Sequence, residues 1–168
     1  VDVRDAMGAN MVNTMVEEIA PRCHALIGGE VCLRILSNLA DRRMVFARGR
    51  IPFDVLGHGR KNMGGDVVAD RVMKASVFAE VDPYRAATHN KGLMNGVDAF
   101  LIAVGQDWRA VEAGAHAYAA RDGQYSALAR WRVEEGALVG ELGLPMQVGT
   151  VGGIVNVHPL VRVNHKVL

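Results

Sequence analysis

Three stretches of this 168-residue chain carry residue types that could do chemistry. Residues 5–10 read DAMGAN, a short loop with Gly8 at its centre. Behind it Met11, Val12, Met15, Val16 and Ile19 recur at helical spacing. A glycine loop feeding a helix leaves free backbone amides at the positive end of the helix dipole, which suits a phosphate or pyrophosphate. The loop lacks the G-x-G-x-x-G fingerprint, so a plain helix cap is the competing reading. The other two stretches hold a lone cation and a lone carboxylate. Lys91 stands among small and polar residues in Thr88-His89-Asn90-Lys91-Gly92, and Asp107 ends the turn Gly105-Gln106-Asp107. An apolar, helix-like run separates them. On residue type alone, a surface lysine near a helix start and an N-cap aspartate are the commoner occupants of such positions.

Other chemistries are thinly represented. Cys23 and Cys32 are nine positions apart, which matches no common zinc spacing, and no metal site is expected. Two reduced thiols packing as small hydrophobes is the simpler reading. A net charge of +1 offers no basic field for nucleic acid, and few aromatics argue against base stacking. No apolar run approaches the ~20 residues of a membrane span, and no signal peptide is visible.

The elements that must position these residues can be read from the pattern. Pro21 stops the first helix, Gly28-Gly29 makes a turn, and Val31, Leu33 and Ile35 alternate as a strand. A second strand runs over 43–51. Pro52, Gly57, Gly59 and Gly64-Gly65 make the next connection loop-rich. A helix follows over 65–81, with Val68, Val72, Ala75 and Ala79 on one face, and Asp82-Pro83 turns the chain. A short helical piece over 84–90 leads into a buried stripe of Leu93, Val97, Phe100, Leu101 and Val104. Asn95-Gly96 is a poor helix former inside it, which suggests a packing need or a site. Asp107 opens another helix, with Trp108, Val111, Ala115 and Tyr118 on one face, closed by Asp122-Gly123. Residues 128–144 read as a hairpin turning at Glu134-Glu135-Gly136. The run MQVGTVGGIVNVHP is small and almost uncharged; it lets backbone approach something closely or makes a buried turn. A helix starts after Pro159. The fold class is α+β.

Five segments then combine: DAMGANMVNTMVE, RILSNLAD, FAEVDPYRAATHNKGLMNGVDA, GQDWRAVEAGAHAYAARDG and LPMQVGTVGG. Together, and in this order, they resemble the bacterial, class II type of 3-hydroxy-3-methylglutaryl-CoA (HMG-CoA) reductase. The glutamine of Gly-Gln-Asp departs from the asparagine often found there. The resemblance implies the end of a small ferredoxin-like cofactor domain over 1–37. Most of a large α+β substrate domain with a buried central helix would occupy 38–168. It implies interconversion of HMG-CoA and mevalonate plus CoA by two hydride transfers with NAD(H) or NADP(H). Lys91 would sit at the reacting carbonyl oxygen, where a cation in a dry pocket stabilises the oxyanion. Asp107 would hydrogen-bond that lysine. Arg85 would pair with the substrate carboxylate, and Asn95 would be a hydrogen-bond partner nearby. Asp5, Met7, Gly8 and Asn10, with Asn38 as an addition, would contact the dinucleotide. A cytoplasmic homodimer with its active site at the interface, or a higher oligomer, is expected.

The chain opens without methionine and ends as an apolar segment begins, which reads as an internal piece of a longer protein. The family's catalytic glutamate and flap histidine are expected outside it. None of the six histidines has the flap context, and His89 would only support Lys91. The piece alone is therefore expected to be inactive. A non-catalytic binding or dimerisation module is the alternative. One geometric problem is already visible. A straight helix over 93–104 would hold Lys91 and Asp107 on the order of 20 Å apart, at ~1.5 Å per residue. Either the pair forms between two subunits or the helix breaks at Asn95-Gly96.

Overall fold

The computed structural model describes residues 1–58 and 63–167, so Gly59 of the glycine-rich connection lies outside the described residues. Its elements are α1 (Ala9–Ile27), β1 (Met44–Pro52), the single turn α2 (Phe53–Gly57), α3 (Gly65–Val81) and α4 (Pro83–Ala103). They continue with α5 (Trp108–Ala119), β2 (Ala129–Glu134), β3 (Ala137–Pro145) and α6 (Pro159–Val167). Helices and one antiparallel sheet of order β1-β3-β2 make an α+β structure, as expected.

The sheet follows from local chemistry. β2 and β3 are joined by Glu135-Gly136, both at positive φ (38° and 77°), the geometry whose twist matches a tight hairpin. β1 returns along the other edge of β3, from Met44 opposite Pro145 to Pro52 opposite Ala137. Helices α3, α4 and α5 pack beside this sheet. The core joins Met94 and Leu101 of α4, Val111, Ala115 and Ala119 of α5, and Leu128 and Leu144 from the hairpin region.

One residue serves two helices. Asp82 ends α3 and caps α4, accepting from the amides of Tyr84 (2.8 Å) and Arg85 (3.2 Å), with Pro83 in the first turn.

Three expectations are corrected. Pro21 does not stop the first helix: α1 runs on to Ile27 and ends where the Gly28 amide donates to the His24 carbonyl. Proline removes one hydrogen bond and crowds one carbonyl, and an exposed flank leaves the helix room to absorb this. The alternating residues 31–36 form no strand, and Leu33 and Ile35 are exposed. A strand exists only as one side of a ladder, and among the described residues none lies alongside. Finally, the short helical piece and the apolar stripe are one helix of 21 residues, unbroken at Asn95-Gly96. That helix is buried on one side only. Leu101 and Val104 are covered, Leu93 and Val97 partly so, and Phe100 keeps 47% of its surface.

Candidate active site

The 5–10 loop is shaped by Gly8. Its φ of 94° is left-handed, and a Cβ there would lie 2.5 Å from the Val3 side chain. Gly8 is also the N-cap of α1, where no side chain among the described residues caps the helix and no acidic residue sits in the first turn. The first amides of α1 are therefore available to an anion. Met7 is half-buried, while Asp5 and Asn10 are exposed.

A second loop, residues 146–151, lies against this one. The Thr150 amide donates to the Asp5 carbonyl at 2.8 Å, and Ala6 bridges Val151 in parallel. A Cβ on Gly149 would overlap the backbone of Ala6 and Met7, so the small residues of this run do permit a close backbone approach. Arg43 stitches the two loops. Its Nη1 donates to the carbonyls of Ala6 and Met7 (3.0 Å each), and Nη2 donates to that of Val148 (2.8 Å). Gln147 adds a bond from Nε2 to the Met7 carbonyl at 3.2 Å. Its buried Oε1 has no partner among the described residues. Beside them opens a cleft of about 240 Å³ lined by Val3, Met7, Val12, Ser37, Arg43 and Gln147. Asn38 adjoins this wall, its carbonyl packed where Gly114 of α5 leaves no room for a Cβ.

The same 146–151 strap reaches the Gly105-Gln106-Asp107 turn. Gln106 Nε2 donates to the Gly149 carbonyl (2.8 Å) and Oε1 accepts from the Gly149 amide (3.0 Å). Asp107 caps α5, with Oδ1 accepting from the Ala110 amide at 3.1 Å. The capping role read from residue type is real. It occupies one carboxylate oxygen, and Oδ2 makes no hydrogen bond among the described residues.

The remaining candidates lie on α4. Lys91 is not near a helix start but in the middle of α4, exposed, with no ion pair among the described residues. Asn95 follows one turn later on the same exposed side. Arg85 is half-buried in the first turn, and its charge, after burial, helps hold the neighbouring His89 imidazole below its usual pKa. The chain thus gathers its candidates into two groups. Asp5, Met7, Gly8 and Asn10 belong to the glycine loop and the start of α1, where Met7 lines the cleft, and Asn38 follows Ser37 of its lining. Asp107 is linked to this group through the strap. Arg85, Lys91 and Asn95 stand along α4. From Lys91 to Ala103 the helix rises ~18 Å at ~1.5 Å per residue, and within one chain Lys91 and Asp107 form no bond. Reading by residue type missed Arg43 and Gln147, whose flanks carry no local signal. The odd glutamine at 106 was the one visible hint of the clamp.

Comparison with known proteins covers this whole arrangement. The family model described as hydroxymethylglutaryl-coenzyme A reductase matches residues 1–168. The 3-hydroxy-3-methylglutaryl-coenzyme A reductase of Archaeoglobus fulgidus is 49% identical over 169 residues, covering 100% of this chain and 37% of that protein. A solved structure of the Streptococcus pneumoniae reductase shares 48% identity, with a TM-score of 0.92 over 99% of this chain and 45% of that one. Another, the class II reductase of that organism bound to NADPH in open conformations, superposes with a TM-score of 0.91 at 48% identity, covering 99% and 40%. The chain spans about two fifths of the length of these relatives.

Proposed function

The chain belongs to the hydroxymethylglutaryl-coenzyme A reductase family, class II, and on that premise we propose the role it plays in a full-length protein. That role is the interconversion of HMG-CoA with mevalonate and CoA. The observation that carries this reading is the shared strap: the glycine loop before α1 and the Asp107 turn, far apart in sequence, are bonded to opposite edges of residues 146–151.

Residues 5–10, the uncapped start of α1, and Asn38 would hold NAD(H) or NADP(H). Three observations support the fit: free first-turn amides, a glycine at φ 94°, and an orphaned acceptor on Gln147 beside the loop. When bound, the nicotinamide would supply or accept one hydride at the thioester level and one at the aldehyde level. Lys91 donates to the oxygen on which negative charge develops, and a cation there is strongest when water is excluded. Arg85 pairs with the substrate carboxylate through its planar fork, and Asn95 hydrogen-bonds near the same site. Asp107 keeps Oδ1 on its helix cap and offers Oδ2 to a lysine. Because α4 is continuous, that lysine belongs to a second copy of the chain, so a two-fold dimer carries two sites. On this reading residues 1–37 are the end of a small ferredoxin-like cofactor domain, 38–168 belong to the substrate domain, and the enzyme is cytoplasmic.

The exposure of Lys91 within one chain also fits a non-catalytic dimerisation module. In full-length protein, Lys91→Ala should lower kcat by about 10²-fold or more while the dimer persists. Full turnover by that variant would favour the module.

A further inference from the structure

We propose that Gln106 is a positioning residue that locks the Asp107 carboxylate in register with the 5–8 loop. The proposal rests on the reductase reading above and adds a residue to it. Gln106 is held at both ends. Its backbone amide donates to the Leu101 carbonyl of α4 at 2.8 Å, which fixes the residue to the end of that helix. Its side-chain amide pairs with both backbone groups of Gly149, donating at 2.8 Å and accepting at 3.0 Å. This reciprocal pair imitates one rung of a β-ladder, and the other edge of the same strap carries Asp5 and Ala6. Two successive links, Gln106 to Gly149 and Thr150 to Asp5, therefore join the Asp107 turn to the glycine loop.

The turn has little freedom to adjust if the clamp is lost. Gly105 sits at φ 70°, packed under Ile154 so closely that a Cβ would lie 2.7 Å from it. From α6, Asn164 Nδ2 donates to the Ala103 carbonyl at 2.7 Å, and His165 Nε2 lies 3.1 Å from that of Val104. With the α4 side fixed, Gln106 sets where the strap lies relative to Asp107.

The chemistry of the clamp is selective. Only a carboxamide offers one donor and one acceptor in this geometry. Glutamate keeps the shape but repels the Gly149 carbonyl, and alanine leaves the buried Gly149 amide and carbonyl without a partner. Asparagine is one methylene short. Hydride transfer and proton handling both require ångström-level placement of groups carried on these two loops, so a slip in the strap should show in turnover before it shows in binding of the acyl substrate.

The test uses full-length reductase carrying this segment, as wild type, Gln106→Glu, Gln106→Asn and Gln106→Ala. Amide hydrogen exchange is followed over peptides spanning 3–8 and 147–151, and steady-state kinetics are run with NADPH, NADH and HMG-CoA. The expected result for Gln106→Glu and Gln106→Ala is faster exchange by about tenfold at 5–8 as well as at 148–150. With it, kcat should fall by about 10- to 100-fold and KM for HMG-CoA should stay within about twofold. Gln106→Asn should fall between. Exchange at 5–8 unchanged from wild type, or kcat within about twofold of wild type in the glutamate variant, would overturn the proposal. Equal turnover by wild type and Asp107→Asn would instead overturn the role given to Asp107, and the exchange at 5–8 would then decide the coupling alone.

Discussion

At the residue scale, the two loops of the site are set by side chains that are absent or shared. Gly8 and Gly149 work by lacking a Cβ where backbone or Val3 stands. Replacing Gly8 by alanine combines a left-handed φ with direct overlap, and should cost about 1–3 kcal/mol in stability, read from denaturant unfolding. His89 offers a second readout. Burial, reinforced by the charge of Arg85, holds its pKa below the usual 6.5, and its Nε2 is buried without a partner among the described residues. The neutral ring is therefore the folded form. Above about pH 6.5 the ring is neutral in both states and the native state carries no penalty. As pH falls below 6.5 the unfolded chain takes up the proton first, so stability declines until the depressed native pKa is passed. The unfolding midpoint should slope downward over that window, and His89→Gln should flatten the slope.

At the element scale, the start of α5 lets the observed cap be separated from the proposed chemistry. Asp107→Asn preserves the N-cap acceptor but removes the charge, whereas Asp107→Ala removes both. The asparagine variant should unfold within a few tenths of a kcal/mol of wild type and the alanine variant about 1 kcal/mol lower. Turnover of the full-length protein should collapse in both if the carboxylate orients a lysine. A drop only in the alanine variant would return Asp107 to capping alone. On α4, Gly92 and Gly96 face outward with open space beyond them. In a free helix Gly96→Ala should stabilise by about 0.5–1 kcal/mol through propensity. If that face meets a second subunit, the same change should weaken dimerisation, which sedimentation at varied concentration would reveal.

At the scale of the whole molecule, the unbroken α4 forces the question of partnership. Lys91 and Asp107 stand far apart along one rigid strut, so a shared site needs two chains. Mixing two inactive full-length variants, Lys91→Ala and Asp107→Ala, tests this directly. If the pair forms across a two-fold axis, half the sites of each mixed dimer are intact. Random exchange should then restore about a quarter of wild-type turnover. A pair formed within one chain would leave every site defective and restore nothing. Among the described residues no helix is long and apolar enough to cross a membrane.

Much of the fold and part of the candidate site's local geometry were legible in the sequence because they depend on neighbours along the chain. The Glu135-Gly136 turn, the Asp82-Pro83 junction, the helix opened by Asp107 and the anion-ready loop at Gly8 all follow from short-range rules of turn and cap chemistry. Resemblance supplied the roles proposed for Lys91 and Asp107, which spacing alone left as surface lysine and cap. The tertiary structure decided what those rules cannot reach. It denied residues 31–36 a ladder, because a strand needs a second strand. It carried α1 through Pro21 and α4 through Asn95-Gly96, because one lost hydrogen bond or two weak formers do not outweigh a long cooperative helix. It also showed that Arg43, Gln106 and Gln147 bind the two loops, since a side chain reaching a distant carbonyl leaves no periodic trace in the sequence.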